Sequence, residues 1–108
     1  MRKSVIDELK LLSSARAQME YEKSLSGAAG LAPRELISVF CDDLYHPKSD
    51  KFVDAFSEDE LKELAHLYGL MSEVVPTQYV TVAEMLKSPG WRKVVDLSKQ
   101  LMSRMKST

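Results

Sequence analysis

The sequence predicts an all-α protein that folds as one compact domain, and three observations carry this prediction. Apolar residues recur at the three- and four-residue spacing of helices along most of the chain. Two Ser/Thr-x-x-Glu capping boxes, beginning at Ser57 and Thr81, mark helix starts. The β-branched run 74–80 contains a proline and has no evident partner strand. We therefore expect a bundle of about five helices over residues 1–108, with an irregular or short extended segment near 74–80.

The first two helices are predicted from apolar stripes and from the residues that end them. One long helix is expected over residues 3–24, ended by Gly27 and Gly30. The second begins near Pro33, which suits a first helical turn. It ends before Pro47, because the residue preceding a proline disfavours the α conformation. The stripes are Val5, Ile6, Leu9, Leu12 and Met19 in the first helix, and Leu36, Ile37, Phe40, Cys41, Leu44 and Tyr45 in the second.

The remaining helices begin at clear capping signals. Ser57 and Glu60 form the first capping box, and Phe56 with Leu61 forms a hydrophobic staple across it. Thr81 and Glu84, stapled by Val80 and Met85, open a short helix that Pro89-Gly90 interrupts. Ser88 and Pro89 then suit the cap and first turn of a final helix. The expected apolar faces are Leu61, Leu64, Ala65, Tyr68 and Met71 in the third helix, and Trp91, Val94, Val95, Leu101, Met102 and Met105 in the last.

Composition excludes several classes of protein. The 108 residues include 15 basic and 16 acidic side chains, a formal net charge of −1, which argues against a general nucleic-acid binder. One cysteine, Cys41, excludes an internal disulfide and a cysteine-rich zinc site. No apolar run approaches the ~18 residues that cross a membrane, and no signal-peptide core follows Met1-Arg2-Lys3. We expect a soluble domain from a reducing compartment, with no membrane partner.

No catalytic set is visible in the sequence. The chain has no Gly-x-Ser-x-Gly elbow, and the stretch 27–30 lacks the Lys-Ser/Thr of a phosphate loop. Cys41 lies within an apolar stripe, which favours core packing over a nucleophile activated by His46. Asp42 and His46, with the neighbouring aspartates and His66, fit no metal-binding loop. We therefore expect no enzyme activity, no cofactor and no metal.

Charge is concentrated in the middle of the chain. Residues 42–63 contain eight acidic and three basic side chains, a net charge of −5, whereas residues 1–41 and 64–108 have +1 and +3. A concentrated negative surface attracts a positively charged partner and raises its association rate. The alternative is a solvated loop followed by acids that favour a helix start, and the sequence leaves both open. The long connection between Tyr45 and Phe56 favours a binding loop.

The same region shows an ordered series of features. A helix ends in Cys41-Asp42-Asp43-Leu44-Tyr45, a polar loop follows, and Ser57-Glu58-Asp59-Glu60 caps the next helix. Over residues 36–71, about a third of the chain, this pattern resembles small helical bacterial immunity proteins. These are the cytoplasmic antitoxins of contact-dependent growth-inhibition systems and of related polymorphic toxins.

The resemblance implies a cytoplasmic inhibitor that occludes the basic active-site region of a cognate toxin domain, often an RNase, without chemistry of its own. Carboxylates would pair with the toxin's Lys and Arg, and aromatic anchors would dominate the interface energy. Phe52 fits the core equally well as it fits this anchoring role. The expected toxin-binding residues are Asp42, Asp43, Tyr45, Asp50, Phe52, Asp54, Glu58 and Asp59.

An alternative function is a small helical nucleic-acid-associated or regulatory adaptor that uses the basic final helix. Its basic residues surround the helix, and residues 64–108 have a net charge of only +3. This weak excess argues against binding nucleic acid through phosphates. The residues concerned are Lys87, Arg92, Lys93, Lys99, Arg104 and Lys106.

Overall fold

All regular structure is helical in the computed structural model, which describes residues 2–25 and 31–106. The all-α prediction is confirmed for these residues, since they include no strand. A π-helix, Val39–Leu44, continues α3 directly, and a 3₁₀ turn, Pro76–Gln78, lies between α5 and α6. The α-helices are α1 (Arg2–Leu12), α2 (Ala15–Ser24), α3 (Leu31–Ser38), α4 (Asp50–Asp54), α5 (Glu58–Ser72), α6 (Val82–Leu86) and α7 (Pro89–Lys106).

The single helix predicted over residues 3–24 is wrong, because the chain breaks between α1 and α2. Ser14 has extended backbone dihedrals, φ −128° and ψ 113°, and its hydroxyl accepts a 3.1 Å hydrogen bond from the Ala17 N–H. This N-cap starts a new helix. The break leaves Met19 43% exposed and buries Gln18 instead, so the predicted apolar stripe ends in α1. The predicted stop at Gly27 and Gly30 lies outside the described residues.

Helix α7 forms the centre of the packing, with extensive contacts to both α1 and α5. Its predicted apolar side is confirmed: five of the six residues are buried and Met102 is partly buried. Trp91 is fully buried, and its indole N–H donates a 2.9 Å hydrogen bond to Gln18 Oε1. The Gln18 amide in turn donates to the Leu12 carbonyl at 2.9 Å. The largest core side chain therefore leaves no unsatisfied donor.

The capping box at the start of α5 is confirmed and is extended by an arginine from α1. The Glu60 N–H donates to Ser57 Oγ at 3.2 Å, and the Ser57 N–H donates to Glu60 Oε1 at 2.8 Å. Arg2 donates to both Glu60 carboxylate oxygens, at 2.7 and 2.8 Å, and to the Ala55 carbonyl at 3.1 Å. The Arg2 guanidinium also lies 5.6 Å from the Phe56 ring centroid. These contacts tie the start of α1 to the corner between α4 and α5.

The segment 74–80 is irregular, as predicted, with one 3₁₀ turn at Pro76–Gln78. The second capping signal holds only in part. Thr81 Oγ1 accepts a 3.2 Å hydrogen bond from the Glu84 N–H, as a capping box requires. The Glu84 carboxylate, however, accepts a 3.4 Å hydrogen bond from the Thr81 hydroxyl and not from the backbone N–H that completes a capping box. Met85 is fully buried in the core, whereas Val80 is 54% exposed, so only the Met85 half of the predicted Val80–Met85 staple belongs to the core.

Candidate protein-binding surface

The π-helix Val39–Leu44 was not predicted from the sequence, and it organises the candidate surface. Its wide turn is closed by a 2.9 Å hydrogen bond from the Tyr45 N–H to the Phe40 carbonyl, five residues earlier. In an α-helix, residues five apart point about 140° away from each other. Here the Phe40 and Tyr45 rings stack, with centroids 5.5 Å apart and planes 18° apart. The π turn therefore brings Tyr45 onto the buried face while Asp42 and Asp43 remain exposed.

An aromatic cluster joins the π-helix to α4 and α5. Tyr45 stacks on Tyr68 of α5 at 5.0 Å and meets Phe52 of α4 edge-on at 5.5 Å. Phe52 also contacts Phe56 at 4.8 Å. Burial, and to a lesser degree the neighbouring Tyr68, raises the pKa of Tyr45 above its usual value. The aromatic cluster therefore holds the π-helix, α4 and α5, each of which has exposed acidic residues, close to one another.

Six predicted carboxylates lie on these elements, and all are exposed. The π-helix provides two, α4 provides two, and the first turn of α5 provides two. None takes part in an ion pair with another described residue. Exposed carboxylates without an intramolecular cation remain free to meet a partner's cations. We call this set the acidic surface: Asp42, Asp43, Asp50, Asp54, Glu58 and Asp59.

Two acids of the negative segment do not belong to this surface. Glu60 pairs with Arg2, and Glu63 pairs with Arg104 of α7. Hydrogen bonding from Arg2 is the main cause that lowers the pKa of Glu60 to about 2. Without these two neutralised groups, six acids face the three lysines of residues 42–63, a net charge of −3 rather than −5. The surface is still negative, but less so than the sequence indicates.

The aromatic assignments change in the structure. Phe52 is fully buried, so its core alternative is correct and it cannot serve as a toxin-contacting anchor. Tyr45 is only partly buried, so part of its side chain is exposed to solvent. Tyr68, expected on the apolar face of α5, is 39% exposed. Sequence reasoning missed Tyr68 because its spacing within α5 is that of a core residue.

A hollow opens beside Tyr45, between the π-helix and α4. It has a volume of about 450 Å³ and is lined by Tyr45, His46, Pro47, Lys48 and Ser49. His46 Nε2 lies 2.8 Å from the Asp43 carbonyl oxygen, which closes the turn on one side. On the other side the Ser49 hydroxyl accepts from the Phe52 N–H at 3.5 Å and caps α4. The loop is therefore built by local hydrogen bonds at both ends.

The candidate nucleophile and metal ligands are not brought into a reactive arrangement. Cys41 is half-buried, and burial, followed by the charge of Asp42, raises the pKa of its thiol to about 11. A protonated thiol is a poor nucleophile. Among residues 2–25 and 31–106, no three His, Cys, Asp or Glu side chains are close enough to hold a metal ion.

The basic residues of the alternative hypothesis are partly committed to intramolecular contacts. Arg104 pairs with Glu63, and Arg92 Nε donates to the Leu86 carbonyl at 3.3 Å. Lys87, Lys93 and Lys99 are exposed. The side chain of Lys106 lies outside the described part of the structure.

Comparisons with known proteins add no relative to this picture. No protein family, curated protein or solved structure matches the chain. No described helix has the length and apolar character that a membrane span requires. The surface itself therefore carries the functional argument.

Proposed function

We propose that this chain is an immunity protein that binds and neutralises a cognate bacterial toxin domain with a basic active-site region, such as an RNase. The observation that carries the proposal is the acidic surface, whose six carboxylates are exposed and have no arginine or lysine partner among the described residues. The resemblance of residues 36–71 to immunity proteins indicates that the partner is a toxin domain.

The physical basis is charge complementarity. A nuclease must present cations to hold the phosphates of its substrate, and these cations attract the acidic surface in the absence of nucleic acid. Carboxylates from the π-helix, α4 and the first turn of α5 would occupy the positions of phosphates. Binding of this kind excludes substrate and requires no reaction on the inhibitor.

Co-expression tests the function directly. The toxin domain would be the variable C-terminal domain of a large secreted protein whose gene lies immediately upstream of this chain's gene. We expect this domain to arrest growth of a bacterial host when expressed alone, and co-expression of the chain to restore growth. Continued arrest despite formation of soluble chain would contradict the proposal.

Stopped-flow association tests the role of the acidic surface. We expect Asp50→Lys with Asp54→Lys to slow association with the toxin domain about tenfold at low salt, because steering depends on local charge. The matched control is Glu73→Lys with Asp96→Lys, which changes the net charge equally at exposed positions outside the surface. Equal slowing by both pairs would show that only net charge matters, and an unchanged rate for the first pair would remove the surface from the mechanism.

A further inference from the structure

Helix α2 contributes little to the hydrophobic core. Six of its ten residues are exposed, and its one buried residue is the polar Gln18. Within the helix only Tyr21 packs against the core, and Met19 is 43% exposed. A helix with so little buried apolar surface separates from the fold at a lower free-energy cost than a core helix such as α7.

Two side-chain hydrogen bonds join α2 to α6 and α7 in the described part of the chain. The Trp91 indole N–H donates to Gln18 Oε1 at 2.9 Å, and the Val82 N–H donates to Glu22 Oε2 at 2.9 Å. Val82 is the first residue of α6, so Glu22 satisfies an N–H that has no partner within its own helix. Water can replace Glu22 and Gln18 in these bonds, so the bonds position α2 but stabilise it only modestly.

The contact between α2 and α1 includes an unsatisfied carboxyl group. Glu8 is buried, and its Oε1 has no hydrogen-bond partner among the described residues. Burial, followed by the charges of Glu35 and Glu8, raises the pKa of Tyr21, so both carboxyl groups lie near this phenol. A buried carboxyl oxygen without a partner is costly. Access of water to Glu8 would therefore offset part of the packing that is lost when α2 moves away.

Helix α1 does not depend on α2 for its own end. The Ser13 N–H donates to the Leu9 carbonyl at 2.9 Å, which continues the hydrogen bonding of α1. Ser14, with extended backbone dihedrals, then separates the two helices. The Leu12 carbonyl, which accepts from the Gln18 amide, would pass to water if α2 moved. The chain can therefore change direction at Ser14 while α1 stays intact.

We propose that α2 is a lid that opens as one unit while α1, α5 and α7 remain folded, and that its opening uncovers Trp91. The indole is fully buried when α2 is in place, and its N–H edge faces Gln18. Movement of α2 removes the group that covers this edge. The inference uses none of the residues of the acidic surface, so it stands or falls independently of the proposed function.

Native-state hydrogen exchange followed by NMR tests the opening on the unmodified chain. We expect the amides of residues 19–24 to share one opening free energy and to exchange about 100-fold faster than those at the centre of α7, since local opening costs less than global unfolding. Rates that change gradually from one end of α2 to the other would indicate fraying. Rates equal to those of α7 would indicate global unfolding only, and either result would overturn the lid.

Glu22→Met tests whether the bond to α6 holds the lid closed. Methionine has a similar length but offers no oxygen to the Val82 N–H, so exchange within α2 should rise about tenfold, the effect of one lost charge-assisted hydrogen bond. Exchange within α7 should not change. Glu20→Met is the matched control, because it lies at an exposed position two residues away in the same helix. An equal rise in this control would overturn the role of Glu22.

Chemical modification of tryptophan tests what the lid covers. Trp91 is the single tryptophan of the chain, so a nitrobenzyl bromide reagent selective for tryptophan, followed by peptide mass spectrometry, measures its accessibility alone. We expect the modification rate in Glu22→Met to rise by the same factor as hydrogen exchange within α2. Faster exchange in α2 with an unchanged modification rate would show that opening does not uncover the indole, and would overturn the proposal.

Discussion

Carboxylates have different roles in two regions of the molecule. One region lies where α1, α5 and α7 meet, and the other is the acidic surface. In the first region, Glu60 is bound by Arg2 and Glu63 by Arg104, so charge holds helices together. In the second, the exposed carboxylates have no such partner among the described residues. The comparison teaches that the same residue type stabilises the fold where an arginine meets it and remains available for binding where none does. Substitutions in the two regions should therefore separate stability from association.

The largest loss of stability is expected in the core region, with Trp91→Ala. Trp91 is fully buried and bonded to Gln18. Removing it leaves a large cavity and an unpaired amide, which costs about 3–5 kcal/mol. Denaturant unfolding at pH 7 measures the change in the free energy of unfolding. Val75→Ala, at a position 48% exposed, is the control, and a comparable loss there would contradict the role of α7 as the centre of the core.

A smaller loss is expected from Glu60→Gln, about 2 kcal/mol at pH 7, because the substitution removes a charge-assisted pair with Arg2. Folding lowers the pKa of Glu60 from 4.5 to about 2. The stabilisation is therefore complete above pH 4.5 and is lost as the pH falls towards 2. Unfolding curves at pH 7 and pH 3 should show a smaller difference between wild type and variant at the lower pH.

Arg2→Met completes the test of this pair. Since each substitution removes the same interaction, the losses from Arg2→Met and Glu60→Gln should not add in the double variant. Additive losses would mean that Arg2 and Glu60 stabilise the chain through separate contacts.

Glu8→Gln should stabilise the protein by about 1 kcal/mol at pH 8. Glu8 of α1 is buried, its Oε1 has no hydrogen-bond partner among the described residues, and burial raises its pKa to about 7. Because folding raises the pKa of Glu8, the protein is more stable at low pH, where this carboxyl is protonated in the folded and the unfolded state. That stability is lost as the pH rises from 4.5 through about 7. Unfolding at pH 5 and pH 8 measures it. Asp7→Asn, on the exposed side of α1, should show no such gain.

The smallest effect on stability is expected in the acidic surface. Asp50→Lys loses a favourable charge in the first turn of α4, and Asp54→Lys gains one at its last residue. The double variant should therefore change the free energy of unfolding by at most about 0.5 kcal/mol. Thermal unfolding measures this, and a loss above 2 kcal/mol would show that these acids stabilise the fold and would erase the contrast between the two regions.

The helical class and the clearest helix starts followed from local chemistry. The Ser57–Glu60 box requires only groups within one turn, so four residues of sequence were enough to place the start of α5. The amphipathic pattern of α7 was equally clear, because its period persists over a long helix. The break at Ser14 was missed, since a serine within an apolar stripe suits a helix interior and an N-cap equally in sequence.

The candidate site depended on both sources. The local concentration of acids near the middle of the chain is a property of the sequence and survives in the structure. Its net charge does not survive unchanged, because Arg2 and Arg104 come from distant parts of the chain to neutralise Glu60 and Glu63. No local sequence pattern predicts ion pairs between residues so far apart in the chain.

Sequence alone predicted the all-α class, the Ser57 capping box, the apolar side of the final helix and the acidic middle segment, since each depends on residues within a few turns of one another. The tertiary fold decided which aromatics face solvent. Phe52 and Tyr68 occupy similar apolar positions in their own helices, yet packing against Tyr45 and the core buries the first and leaves the second exposed. The π turn that positions Tyr45 was likewise decided by the tertiary fold. Stacking of Tyr45 on Phe40 and Tyr68 stabilises a backbone conformation that local propensity does not favour.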